Sequence, residues 1–328
     1  MQKVLIIGCG VVGGSIFKRL ATHENKKYDL TIYDPFMPEE DIKHLIVYCK
    51  TFDIQLKLYD PLNYKKDLFD IAIIAVPPEK DIYLQIAKDL QIFTLAKEIY
   101  EFSSVKGWLL KLEGYKDANN FTPVHIMAGS EKTGFANSSS ELHQDATIMF
   151  FSDDSNLQSH KTIEELGCYT TNKMWKVRYQ KKLFMQEHDK IVAWTSHFPQ
   201  LFCFALNDII NKEHDTELNN ALQQISQDWV EHEDLQKNLF RLCQSNRVLW
   251  KSIFKQNSEN LLNILKMHDM GYDFSFFRPF NSYDLEGKGY YMMCEYLQSN
   301  KWEYLQQILR SDAIKVAMRN ILERNILE

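Results

Sequence analysis

Val4-Leu5-Ile6-Ile7-Gly8-Cys9-Gly10-Val11-Val12-Gly13-Gly14-Ser15 runs from four consecutive apolar residues into glycines spaced GxGxxG. A short apolar run bounded by glycine fits a strand buried on both faces, and a helix opens after it. In that setting the first glycine permits a tight turn. The second lets backbone approach a pyrophosphate, and the third lets the helix pack on the strand. The helix N-terminus then offers unpaired N–H groups and the positive end of its dipole to phosphates. Four of the chain's twelve glycines fall within residues 8–14, which concentrates the backbone freedom at this one turn. Asp34 ends the second strand 21 residues after Gly13, where an acid can bind ribose hydroxyls. No arginine occurs in Asp34-Pro35-Phe36-Met37-Pro38, so NAD is expected rather than NADP. Gly8, Gly10, Val11, Val12, Gly13 and Asp34 are the expected cofactor contacts at this end.

Working outward, Val4–Ile7, Leu30–Tyr33, Ile71–Val76 and Ile148–Phe151 read as strands, with Ser15–Thr22 and Ile82–Leu90 as helices between them. Such alternation predicts βαβ units and a doubly wound, mainly parallel sheet, an α/β Rossmann domain. The second half changes character. No proline occurs between Pro199 and Pro279, and apolar residues recur at helical spacing in Ile191–Leu206 and Leu249–Leu265. We expect residues 1–155 to bind the dinucleotide and residues 156–328 to form an all-α domain. The boundary is placed in the polar run 152–160, and residues 266–328 form an extension.

The net charge of −6 gives no electrostatic case for nucleic acid or an anionic membrane. No apolar run approaches the roughly 20 residues that span a bilayer, and the N-terminus enters its first strand without a signal-peptide pattern. Six scattered cysteines without a CxxC pair suit reduced thiols in the cytoplasm rather than a disulfide framework or a zinc site.

Two strand ends draw attention as ligand edges. Ile74-Ala75-Val76-Pro77-Pro78 stops a strand and turns the chain, which places Val76 and Pro77 along the cofactor. Ser103-Ser104-Val105-Lys106 leaves another strand at its carboxyl side, where open α/β sheets hold ligands. His125-Ile126-Met127-Ala128-Gly129-Ser130-Glu131-Lys132-Thr133-Gly134 then sets an imidazole, a hydroxyl, an acid and a base around two glycines. An imidazole beside a nicotinamide site is a natural proton acceptor for alcohol oxidation.

In order along the chain, these segments resemble the prephenate/arogenate dehydrogenase family over roughly residues 1–265. The resemblance covers Gly13-Gly14-Ser15 in the opening turn, Ser104-Val105-Lys106, and the segment His125–Gly134. It continues through His188-Asp189 and Ser196-His197-Phe198-Pro199-Gln200, and ends with Arg241, nine residues before Trp250. Three positions depart from the family pattern. Ile126 replaces a proline after the histidine, Gln200 replaces a histidine, and Glu101 stands for an aspartate.

The resemblance implies NAD-dependent oxidation of a ring hydroxyl with loss of CO2. His125 would be the base, and Ser104 would orient the hydroxyl and nicotinamide, with Lys106 on the cofactor side. Arg241 would hold a substrate carboxylate, which a planar two-pronged donor suits. His197 would contact the side-chain end of the substrate, with Gln200 influencing it, and Ser130 and Glu131 would line or gate the site. His188-Asp189 reads as a helix cap satisfying the core, and Arg247 as solvated. The stripe Trp194, Phe198, Phe202 and Phe204 reads as core and dimer contact. No metal site is expected. Prephenate dehydrogenase, making 4-hydroxyphenylpyruvate for tyrosine synthesis, is the leading expectation. Arogenate dehydrogenase is the alternative, and an inactive NAD- or tyrosine-binding regulator is the reading from another class. A 3-hydroxyacid dehydrogenase would leave the His125–Gly134 run unexplained. A homodimer through the helical half is expected, because a two-fold interface buries one patch twice.

Overall fold

Strand β1, Gln2–Ile7, is buried on both faces from Val4 onward, as its unbroken apolar run requires. It lies between its two parallel neighbours near one edge of the sheet, in a computed structural model that describes residues 1–22, 28–61, 69–112, 118–130, 132–143, 146, 148–151, 174–176, 181–210, 242, 245–269 and 312–327. Helix α1 (Val11–Ala21), β2 (Tyr28–Tyr33), α2 (Glu39–Thr51), β3 (Phe69–Ile74), α3 (Lys80–Leu90), β4 (Ala96–Glu101), β5 (Phe121–Ile126), β6 (Ile148–Phe150) and β7 (Met174–Lys176) follow in order. The sheet order is β2-β1-β3-β4-β5-β6-β7, parallel except for the antiparallel β5–β6 pair. Lys57 and Tyr59 also bracket Ile32 of β2 with backbone hydrogen bonds of 2.9 and 2.7 Å, and Leu58 bridges to it in parallel. With that fragment as a rim, the order is the doubly wound one of dinucleotide-binding sheets. The expected α/β first half is therefore present, with α2, β5 and β7 added to the elements read from the sequence.

Two compact units divide the chain, Met1–His188 and Asp189–Glu328. The polar run 152–160 lies outside the described residues. The second unit is helical throughout its described residues: α4 (Lys181–Val192) enters it, a π-helical turn spans Ala193–His197, and α5 (Phe198–Ile210), α6 (Arg247–Gln256), α7 (Ser258–Asp269) and α8 (Asp312–Leu327) follow. The proposed aromatic stripe is mainly core here, since Phe198, Phe202 and Phe204 are buried and Trp194 packs against them. Helix α8 belongs to the same core. It packs along α5, with Met318 and Leu322 fully buried, so this part of the 266–328 extension completes the unit. Asn246 caps α6, its side chain accepting from Val248 and Leu249 N–H at 2.9 and 3.1 Å.

Candidate active site

The parallel strands β1, β3, β4 and β5 all end on one edge, so Gly8, Ala75–Pro78, Ser103–Lys106 and Met127–Ser130 converge on it. At the first end Gly8 has φ +82°, and a Cβ there would meet Ala75 O and Val76 Cγ1 at 2.7 Å. A Cβ on Gly13 would run into the carbonyl oxygen of Gly8. Both glycines are thus demanded by the turn's own packing. Gly10 differs: a Cβ on it would meet nothing within 4 Å. Glycine at this position leaves space beside the helix N-terminus, which is what a pyrophosphate needs. Val11, Val12, Val76 and Pro77 flank this space half-buried. Asp34 Oδ2 accepts from Cys9 N–H at 2.8 Å and Oδ1 from Phe36 N–H at 3.2 Å. Burial raises the Asp34 carboxyl above its ordinary range, and these two hydrogen bonds oppose the rise. The acid is therefore fixed beside the glycine turn, as a ribose acceptor should be.

At the end of β4 a buried charge builds the next turn. Glu101 and Lys106 have fully buried side chains, and Lys106 Nζ lies 2.6 Å from Glu101 Oε2 and 3.1 Å from the Glu101 carbonyl. Tyr83 O–H and Ser103 N–H both donate to Glu101 Oε1 at 2.7 Å. Burial, then the neighbouring Glu101 charge, holds the Tyr83 phenol well above its usual range. Trp108 packs its edge on Tyr83 and donates to Val105 O at 2.9 Å. Ser104, half-buried, is carried at the crown of this turn. Lys106, expected on the cofactor, instead neutralises Glu101 from inside. A fully buried ammonium has no surface to offer a ligand, and its charge is needed by the carboxylate.

His125 sits one residue before the end of β5, half-buried. Its Nδ1 lies 2.7 Å from Nε2 of His188, with the rings edge to face at 4.9 Å. His188 is 1% exposed in the interior of α4 and meets the edge of Phe151, so it is not the helix cap read from the sequence. Ile126 stands where the family pattern has a proline. It pairs with Ile148 across the antiparallel ladder, and its side chain is buried in the core. Ser130 is half-buried, its Oγ accepting from Lys132 N–H at 3.1 Å, and Glu131 lies outside the described residues.

The segment after His125 is clamped to the dinucleotide half by residues of the opening motif. Ser15 Oγ accepts from Ser139 N–H at 3.0 Å, and Lys18 Nζ donates to Ser138 O at 2.8 Å while lying 4.4 Å over the Phe135 ring. Burial lowers the Lys18 ammonium. A Cβ on Gly14 would strike Phe135 and Ser138 at 2.9 Å. Asp41 of α2 accepts from Ala136 N–H at 3.0 Å. Gly14-Ser15 is therefore engaged with the histidine segment.

In the helical unit His197 ends the π-helical turn, 1% exposed, with Nδ1 at 2.9 Å from Asn257 Nδ2 and its ring edge to face with Trp250. Gln200 is also buried. Its Nε2 donates to Leu242 O at 2.6 Å, and its Oε1 accepts from Ser245 Oγ at 3.4 Å, so it holds the chain just past Arg241. Arg241 itself lies outside the described residues. Arg247 is not merely solvated: it pairs with both oxygens of Asp208 and covers the Phe204 ring at 4.6 Å. His188, Asn257 and the Glu101–Tyr83 pair escaped sequence reading. Only the SVK motif hinted at the last, through the acid before it. Among the described residues no His, Cys, Asp and Glu grouping could hold a metal.

Residues 185–271 match the family model described as prephenate dehydrogenase, dimerization domain. A curated prephenate dehydrogenase of Lactococcus lactis subsp. cremoris (strain MG1363) is 23% identical over 269 residues, covering 79% of this chain and 66% of the relative, just under two thirds of its length. Among solved structures, the A. aeolicus prephenate dehydrogenase in complex with hydroxyphenyl propionate and NAD+ aligns with TM-score 0.62 at 21% identity, over 94% of this chain and 96% of that one. Synechocystis arogenate dehydrogenase aligns with TM-score 0.55 at 17% identity, over 92% and 100%. The helical segment 185–271 thus matches the dimerization-domain model of prephenate dehydrogenases, and the chain is similar in sequence and fold to prephenate and arogenate dehydrogenases.

Proposed function

We propose that this chain is an NAD-dependent dehydrogenase that oxidises the ring hydroxyl of prephenate, with loss of CO2, to give 4-hydroxyphenylpyruvate. The observation that carries this reading is His125, half-exposed at the ligand edge of the sheet with Nδ1 tied to His188. Gly8, Gly10, Gly13 and Asp34 would hold the dinucleotide, with Val11, Val12, Val76 and Pro77 along it. The chemistry a nicotinamide supplies there is acceptance of a hydride.

The residues' own work follows from their hydrogen bonds. To take the hydroxyl proton at Nε2, His125 must carry its first proton on Nδ1 and donate it to His188 Nε2. When His125 becomes an imidazolium, that bond becomes charge-assisted and steadies it. The pair carries no more than one extra proton while the bond is intact, because two protonated nitrogens would face each other as donors. Ser104, carried on the rigid turn around Glu101, orients the hydroxyl. Arg241 would bind a carboxylate, His197 the other end of the substrate, and Ser130 with Glu131 the rim. The helical half is the proposed homodimer interface, and the buried free thiols Cys9, Cys49 and Cys203 suit the cytoplasm.

The test is purified protein with NAD, followed for NADH on prephenate and on arogenate separately. Faster turnover of prephenate supports the proposal, and preference for arogenate would move the chain to direct tyrosine synthesis. NAD binding without turnover of either would leave a regulator and reject the enzyme.

A further inference from the structure

We propose that Asn257 is a positioning residue that locks His197 as the Nε2–H tautomer, so that this imidazole meets the substrate as a hydrogen-bond donor. The inference rests on the reading of His197 as a substrate contact. Asn257 stands at the break between α6 and α7, 2% exposed, where its backbone N–H still bonds Ile253 O at 3.0 Å. Its side-chain amide has one orientation that satisfies its neighbours. Nδ2 lies 2.7 Å from the carbonyl of Asp189, which can only accept, so the nitrogen must face it. Asn260 Nδ2 donates to Asn257 Oδ1 at 2.7 Å, which fixes the oxygen on the other side. The amide's second hydrogen then points to His197 Nδ1 at 2.9 Å. A nitrogen that receives a hydrogen bond carries a lone pair, so the single proton of the neutral ring is on Nε2. Protonating Nδ1 would set two donors against each other inside a buried site, at the cost of an unsatisfied group.

The surroundings reinforce the lock. Asp189 lies just ahead of the π-helical turn that ends in His197, and such turns recur at functional sites. Trp250 fixes the ring plane through its edge-to-face contact at 5.8 Å. Asn257 thus ties together the start of the turn, through Asp189, and its end, through His197. Its role is distinct from that of Gln200, which holds Leu242.

Two measurements separate this proposal from the functional reading beneath it. In 15N-histidine-labelled protein, long-range proton–nitrogen correlation should show His197 with an unprotonated Nδ1 and a protonated Nε2, assigned by loss of its signals in His197→Gln. An Nδ1–H ring, or a doubly protonated one at neutral pH, would overturn the lock whether or not the protein has activity. Asn257→Asp offers Nδ1 an acceptor in place of a donor and should switch the tautomer. KM for the substrate turned over should then rise about tenfold or more, as for one lost hydrogen bond, with kcat changed far less. A switched tautomer with unchanged KM would remove the positioning role and take His197 out of the substrate site.

Discussion

Replacing Lys106 by methionine would keep most of its chain volume and remove the charge that neutralises Glu101. Both side chains are fully buried, and Lys106 Nζ supplies the Glu101 carboxylate with its 2.6 Å contact and the Glu101 carbonyl with another at 3.1 Å. Removing one partner of a buried pair costs about 3–5 kcal/mol, because the other charge stays in a poor solvent. Glu101 retains Tyr83 O–H and Ser103 N–H on Oε1, so the lower end, about 3 kcal/mol, is expected. That is a change of about 150-fold in the folded-to-unfolded ratio, a large part of a domain's net stability. Urea unfolding followed by tryptophan fluorescence is a suitable assay, since Trp108 packs edge to face with Tyr83 in this network. The double variant Glu101→Gln with Lys106→Met should recover at least about 1 kcal/mol over the single one, because the stranded charge is gone. A single variant within about 1 kcal/mol of the parent, or a double variant no better than the single, would refute the buried-charge account of the Ser104 turn.

His143 is buried, its Nε2 without a hydrogen-bond partner among the described residues, and burial lowers its imidazole from 6.5 to about 4. Above pH 6.5 the ring is neutral folded or unfolded. Between 6.5 and 4 only the unfolded chain binds the proton, so stability falls with pH by about 3 kcal/mol in total and the slope ends below 4. His143→Leu should flatten that part of a stability–pH curve, and an unchanged slope would assign the loss elsewhere. His188→Phe should lower kcat about 10- to 100-fold, the worth of a hydrogen bond to a charged group, while NAD affinity holds. Normal kcat in this variant would mean that His125 needs no partner. Gly10→Ala should melt like the parent yet bind NAD more weakly, whereas Gly13→Ala should lose about 1–3 kcal/mol of stability by forcing a methyl onto the Gly8 carbonyl. Equal melting of the two variants would contradict the division between ligand space and packing.

The elements read from sequence were those with strong local signals. β1, β2 and β3 announce themselves by unbroken apolar runs, and α1 by the glycines that open it. β4, Ala96–Glu101, with its charged residues, shows only through the turn that leaves it, and β5 hides behind Pro123. The proline is tolerated because it stands opposite Glu101 on the last rung of the β4–β5 ladder, and its carbonyl still accepts from Phe151. Lys106 was read for its charge, but whether a charge faces a ligand or a buried partner depends on what folds over it. His188 shows the same limit. A histidine inside a helical run carries no mark of the imidazole 63 residues earlier that it meets.

By itself the sequence determined the dinucleotide turn, the two-part organisation and the histidine segment, because backbone freedom at glycine, apolar periodicity and local chemistry are properties of short stretches. Tertiary structure decided which of the motif residues are engaged inside the protein. Gly14-Ser15 clamps the segment after His125, Lys106 and Gln200 turn inward, and His188 and Asn257 become the partners of His125 and His197. Each of those assignments is a hydrogen bond or ion pair between residues that chain order separates and only packing brings within reach.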